Sequence, residues 1–487
     1  MGQSIKNNFL LNLSTTITGL LFPLITFPYA SRILMADGIG QVQFFQSIID
    51  YVSLCTALGI PLYAVREIAR IRDNKELRSR TTIEILLLHA ILTLVGYIVV
   101  FILAKTVAKI EIDASLFFLL STTLFFNTIG VAWFYQAIED FKYITLRSLF
   151  VRILSLVALF IFVKTKQDLF YYAGILVIGT VGNNIFNFFR LRKYIKLSKG
   201  EFKRLNLLRH LIPALKIFIL NLVISIYVNL DSVMLGFLKN EESVGYYAAA
   251  TRLTKAILGI VSSLGAVLLP RFSNMITNGQ KEEFQLLANK AASFTIALSL
   301  PMSVGLIFMA APIIHIFCGN GFEPSILTLK LVAPIVLFIG LSGIIGMQIL
   351  YPQGREKYVI ISTMVGACIN LLINYLLIPQ YGQYGAALGT VIAEFMVTVI
   401  MILLGRKYLP INILSKQNLH YLIGSIVISI LLAFLFVFPL HEVNYLLIGI
   451  LLSVIVYYAY LLMIKDTLAL QPVSYTHLRA HETLRHL

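Results

Sequence analysis

Arg252 and Lys255 stand three positions apart inside the apolar run GYYAAATRLTKAILGIVSSLGAVLL. On a helix that spacing puts both side chains on one face. At 1.5 Å per residue Arg252 lies about 10 Å, and Lys255 about 15 Å, from the start of the run. Two such cations suit a pyrophosphate, because the guanidinium grips oxygens bidentately and the ammonium acts as a point charge. The bland alternative is a pair of snorkelling side chains, or ion pairs with Asp50 or Asp231. Lys255 is too deep to snorkel easily, which favours a polar cavity. Asp50, 205 positions before Lys255 and at the matching place in the other half of the chain, and Glu394 both sit near mid-depth of apolar runs. A charge in hydrocarbon costs roughly 2.5–3.5 kcal/mol on insertion scales, so it faces a wet cavity or a partner. These acids read as proton or sodium sites, as partners of the cations, or as structural ion pairs. Asp231, near the end of another run, reads as structural or gating. Lys216, Arg152 and Arg66 lie within about two turns of the opposite surface. They form a candidate landing site for an anionic head group, with snorkelling as the alternative.

Other chemistry is not signalled. His89 and His315 have no companion at metal-ligand spacing, and there is no phosphate-binding loop, nucleophile elbow or zinc motif. The expectation is a protein that is not an enzyme, holds no cofactor and, at most, couples to H+ or Na+.

The elements that carry these residues are hydrophobic. About fourteen stretches, each long enough to cross a bilayer, fill the chain, which is 58% hydrophobic and 13% charged. A soluble chain of 487 residues could not hide that much apolar surface. The class is an all-α polytopic membrane protein. The formal charge of +16 might suggest a nucleic-acid partner. It is concentrated in loops on one side, which excludes that reading and leaves the lipid bilayer as the partner. REIARIRDNKELRSR, after the second stretch, and the region 190–210, after the sixth, are dense in Lys and Arg; CGNGFEP and IPQYGQYG have none. By the positive-inside rule the basic loops and both termini are cytoplasmic. Cys55, Cys318 and Cys368 form no disulfide framework. Residues 473–487, with three of the eight histidines, match nothing upstream and read as a non-native tail.

The chain repeats internally. ADGIGQVQFFQSI…LGIPLYAVREIAR aligns with NEESVGYYAAATR…LGAVLLPRFSN, pairing Gly40 with Gly245, Gly59 with Gly265 and Arg66 with Arg271. Lys142-Tyr143 pairs with Lys357-Tyr358. Two parallel six-helix copies follow: an N-lobe at 1–189, a basic cytoplasmic linker at 190–210, a C-lobe at 211–404, and two additional helices within 405–465. Gly385 and Gly389, four apart, offer a small-residue packing face.

PLITFPYASRIL, GIGQVQFFQSIIDY and LGIPLYAVREIAR near the start, and WFYQAIEDFKYITLRS at 133–148, resemble bacterial polysaccharide (O-antigen type) repeat-unit flippases. These belong to the multidrug/oligosaccharidyl-lipid/polysaccharide exporter superfamily. The resemblance extends over about 1–465 and is most specific in the N-terminal third. It implies two six-helix lobes in a MATE-like V around a central cavity, working by alternating access. It implies a substrate of undecaprenyl-pyrophosphate-linked oligosaccharide moved to the outer leaflet of the bacterial cytoplasmic membrane, driven by an ion gradient, with the polysaccharide polymerase machinery as a further partner. The family's cationic cavity is matched in kind by Arg252, Lys255, Lys216 and Arg152, without a strict motif. A peptidoglycan-precursor flippase and a drug/cation antiporter of the same fold are the alternatives. The first stretch lacks the interior charge of the peptidoglycan relatives, and an antiporter of cations would want an anionic cavity.

Overall fold

The computed structural model describes residues 5–195 and 205–466, and among these all regular structure is helical. The expected tail at 473–487 and positions 196–204 of the basic linker lie outside the described residues.

The first helix, Ile5–Ala57, is interrupted at Met35, whose φ of 59° and ψ of −174° are not helical. The apolar stretch Leu21–Arg70 has 50 residues. Unbroken, it would be about 75 Å long at 1.5 Å per residue, against a hydrocarbon core about 30 Å thick. Met35 and the pair Leu58–Gly59 divide it. Gly59 adopts φ 73°, which a residue without Cβ does at little cost. Pro61 then sits in the first turn of the next helix, Ile60–Arg70, where its missing N–H is no loss. The second of the expected apolar stretches, which the sequence places at 40–63, is therefore not one continuous helix. Its last residues belong to an amphipathic helix that buries Ile60, Tyr63, Ala64 and Ile68 and leaves Arg66 and Arg70 exposed.

Among the described residues, 11 helices are long and apolar enough to cross a membrane, or 12 if the pair Lys166–Gly182 and Asn184–Leu191, bent by 41°, is one span. The expected number of about fourteen is not confirmed. Two of the expected stretches, 8–31 and most of 40–63, lie on either side of the Met35 break within Ile5–Ala57, and another, 211–236, lies in the helix Leu211–Leu238.

Two compact units make up the chain. The first comprises Met1–Ala248, Cys318–Gly321 and Leu371–Ala386. Lipid tails are as apolar as leucine, so its helices associate through close packing rather than through a hydrophobic drive. Phe45 meets Phe117 edge-to-face at 5.4 Å, and Phe44 meets Phe237 at 5.1 Å. The repeat-matched glycines meet each other's neighbourhoods. A methyl group at Gly40 would overlap the carbonyl oxygen of Glu241 and lie 2.7 Å from the amide nitrogen of Gly245. One at Gly245 would overlap the carbonyl oxygen of Ala36. Around this contact Ser31 Oγ donates to Cys318 O (3.0 Å), a Cβ on Gly319 would lie 2.8 Å from Arg32 Cγ, and Lys239 Nζ donates to Pro379 O (3.2 Å). Parts of the two loops expected to lack positive charge, 318–321 of CGNGFEP and 378–382 of IPQYGQYG, therefore gather around the Met35 break. At Gly59 a Cβ would lie 2.7 Å from Ala214 O, so the turn between the first two helices rests directly on the backbone of Leu211–Leu238.

The second unit comprises Ala249–Phe317, Phe322–Asn370 and Ala387–Leu487. Its helix Lys281–Phe308 packs against Ile335–Gly343 and Lys416–Phe436. Buried Ile296, Leu341 and Tyr421 fill the space between them. The last two helices, Lys416–Phe436 and Glu442–Met463, are tied in by Tyr457, whose hydroxyl donates to Ala297 O (2.8 Å), and by Tyr421, which donates to Asp466 Oδ2 (3.1 Å).

Candidate functional site

In the first unit Asp231 is buried near the end of the helix Leu211–Leu238. Tyr247 donates its hydroxyl to Oδ2 (2.5 Å), and Asn374 donates Nδ2 to Oδ1 (2.7 Å). Two donors thus hold the carboxylate, one on each oxygen. Asp50 is half-buried on the helix Ile5–Ala57 and accepts from Gln46 Nε2 (2.8 Å), one turn earlier. Tyr51 lies within electrostatic reach of both Asp231 and Asp50, so these two acids share a neighbourhood. Arg152, on Phe141–Phe162, is half-buried; its Nη1 donates to Thr18 Oγ1 (2.8 Å), and its guanidinium lies beside Gly19, where a Cβ would stand 3.3 Å from Nη2. Lys216 and Arg66 are exposed.

The second unit carries Arg252, Lys255 and Glu394. Arg252 is half-buried and Lys255 exposed on the helix Glu241–Thr277, with buried Thr254 between them. An exposed ammonium on an apolar membrane helix must look into water or reach a polar surface. Glu394 is buried on Gln383–Gly405. The five expected cations thus divide, with Arg66, Arg152 and Lys216 in one unit and Arg252 and Lys255 in the other.

A further ionic cluster in the first unit escaped the sequence reading. Glu84 is fully buried. It accepts from Arg80 Nε (3.0 Å), Arg209 Nη2 (2.5 Å), His210 Nε2 (3.0 Å) and the backbone N–H of Asn206 (2.8 Å). Tyr63 O–H lies 2.7 Å from His210 Nδ1. Neutral imidazole protonated on Nε2 meets both demands, donating to Glu84 and accepting from Tyr63. Burial pushes the His210 imidazole below the usual histidine range. The cluster fastens the end of the basic linker to the helices Ile60–Arg70 and Lys75–Thr106. Its one signal in the sequence is Glu84 itself, an acid at the start of a long apolar run.

Among the described residues, helices long and apolar enough to cross a membrane, with acids and cations set along them, define a multi-pass membrane protein. The comparisons with known proteins agree. The polysaccharide biosynthesis protein family matches residues 5–276, more than half of the 487 residues, and the chain belongs to that family. The MatE family matches residues 217–376. The "Putative O-antigen transporter" of Escherichia coli (strain K12) is 25% identical over 392 residues, covering 80% of this chain and 93% of that protein. The "Probable lipid II flippase MurJ" of Bdellovibrio bacteriovorus is 27% identical over 195 residues, 38% of this chain and 37% of that one. Among solved structures, lipid II flippase MurJ in an inward closed conformation superposes with a TM-score of 0.73 at 18% identity, covering 94% of this chain and all of that one. An inward-facing MATE family multidrug transporter superposes at 0.58, with 16% identity over 80% of this chain and 93% of that one. The protein is a flippase of the multidrug/oligosaccharidyl-lipid/polysaccharide exporter superfamily, and a transporter rather than an enzyme.

Proposed function

We propose that this protein flips undecaprenyl-pyrophosphate-linked oligosaccharide repeat units from the cytoplasmic to the outer leaflet of the bacterial cytoplasmic membrane. The termini lie in the cytoplasm, and the product feeds surface-polysaccharide polymerisation. The observation that carries this reading is the pair Arg252 and Lys255, three residues apart on one apolar membrane helix, with Lys255 exposed. A lipid-linked sugar cannot drag its head group through hydrocarbon unaided. Cations in a polar cavity offset the desolvation of its pyrophosphate, while the lipid tail stays in the bilayer. Arg66, Arg152 and Lys216 attract the anionic head group at the cytoplasmic side. The acids reset the empty carrier. Asp231, gripped by Tyr247 and Asn374, and its neighbour Asp50 take up H+ or Na+ in this scheme, with Glu394 serving the same purpose in the second unit. A membrane potential supplies about 2.3 kcal/mol per charge per 100 mV for such a step. Alternating access requires the close contact of segments 36–40 and 241–245 to part when the head group leaves.

The test is complementation of bacteria lacking their own repeat-unit flippase, with the chain ended near residue 472. The expected outcome for the Arg252→Gln/Lys255→Gln pair is a loss of outer-leaflet lipid-linked oligosaccharide of about ten-fold or more, at unchanged membrane level. Normal export by the double variant would overturn the assignment.

A further inference from the structure

A cleft of about 790 Å³ opens beside the first turns of the helix Phe141–Phe162 and the end of the helix Asn184–Leu191, and none of the acids assigned above to ion coupling lines it. That volume is in the range of small-molecule sites. Four cations line it, Lys142, Arg147, Arg190 and Lys193, against one carboxylate, Asp140. Arg190 is already engaged. Its Nη2 donates to Asp140 (2.7 Å), and its guanidinium stacks 3.8 Å from the centre of the Tyr143 ring. Arg147 differs. It is nine-tenths buried, and its Nε and Nη1 find no hydrogen-bond acceptor among the described residues; its nearest compensation is the face of Tyr143, 5.3 Å away. A buried guanidinium with donors to spare is an incomplete site for an anion. Lys142 and Lys193 are exposed beside it and add positive charge that no residue of the cleft neutralises.

The rest of the lining selects the kind of anion. Phe150, Phe186 and Phe189 line the same cleft with their rings exposed. Further along the helix, Ile153 and Leu154 are exposed too, so an apolar flank leads from the cationic end along the membrane helix. A water-soluble anion has no use for that flank. The bridge between Arg72 and Glu139 (2.8 Å) sets the cleft at the same end of the unit as the basic connection 66–80, where membrane surface charge is met.

We infer that this cleft binds the phosphate headgroup of an anionic phospholipid, with Arg147 as its central ligand, Lys142 and Lys193 as flanking charges, and the acyl chains laid along Phe150 and its neighbours. The inference does not depend on which glycan is transported.

Native mass spectrometry of the purified full chain tests it, titrating phosphatidylglycerol, phosphatidylcholine and inorganic phosphate separately. The expected result is retention of phosphatidylglycerol about ten-fold tighter than phosphatidylcholine, undisturbed by millimolar phosphate. Lys193→Gln, a surface change that leaves the fold intact, should weaken the preference about three-fold, and Arg147→Gln should abolish it. Equal binding of the two lipids, or an unchanged preference in both variants, overturns the site. Displacement by inorganic phosphate makes it a free-phosphate site instead. Competitive displacement by undecaprenyl phosphate at equal concentration assigns it to the transported lipid and likewise overturns the proposal.

Discussion

Replacing Gly40 with alanine puts a methyl group where the structure has no room. The new carbon would overlap the carbonyl oxygen of Glu241 and stand 2.6 Å from its carbonyl carbon. Ordinary carbon contacts begin at about 3.5 Å and the overlapped oxygen is the tighter obstacle, so the segments 36–40 and 241–245 must part by about 1.5 Å. The obstacle is backbone on both sides, so no side-chain rotation relieves it. Overpacking of this kind costs typically about 1–3 kcal/mol. In a transporter that opens and closes this contact, the cost falls only on the closed state and shifts the population toward the open one by about 5–150-fold. The chain contains its own reporter. Cys318 is fully buried beside Ser31 at this contact, whereas Cys55 and Cys368 are exposed and can be changed to serine. In that background a membrane-impermeant maleimide should label Cys318 slowly in the otherwise native protein and about 5–150-fold faster in Gly40→Ala. Gly245→Ala should act alike, and the pair should be strongly non-additive, because both changes open one contact. An unchanged labelling rate in a monodisperse, folded Gly40→Ala protein would refute the reasoning.

The remaining expectations concern the buried charges. Glu84→Ala strands Arg80, Arg209 and His210 without their shared acceptor and should destabilise the protein by about 3–5 kcal/mol in denaturant unfolding; a loss under 1 kcal/mol would mean water takes the carboxylate's place. Because burial holds the His210 imidazole below its ordinary value, its contribution to stability is present above about pH 6.5 and is lost as pH falls below that. Thermal unfolding at pH 7.5 and 5.5 should therefore show a smaller drop in His210→Gln than in the native protein, and equal drops would remove His210 from the account. Asp231→Asn keeps the shape but removes the charge held by Tyr247 and Asn374. In proteoliposomes transport should lose its dependence on an imposed H+ or Na+ gradient, whereas Tyr247→Phe should retain it while costing about 1.5–3 kcal/mol of stability.

The class of the molecule was legible in its residues because hydropathy and charge bias are additive along the chain. Long apolar runs must be helices that satisfy their own backbone. The expected repeat rests on like residues at like spacing, as Gly40 and Gly245 are. Contacts between distant segments were not. A repeat says that Gly40 and Gly245 correspond; only the folded chain brings each against the backbone beside the other, because two helix ends with no Cβ can approach more closely than any others. Asp231 announced itself as a charge in hydrocarbon. Its partners, Tyr247 on the following helix and Asn374, 143 residues away, are ordinary polar residues until packing chooses them. Glu84 lay at the edge of an apolar run, where an acid can equally face water, and the four donors that bury it come from its own helix and from a linker more than 120 residues on. The break at Met35 falls in the loop expected between the first two apolar stretches, 8–31 and 40–63, whereas the one at Leu58–Gly59 was hidden, because the apolar pattern runs through it unchanged. Sequence alone determined that this is a multi-pass membrane transporter of apolar helices. The tertiary structure decided which charges are held, which are exposed and where the backbones touch, because those depend on neighbours that local periodicity does not encode.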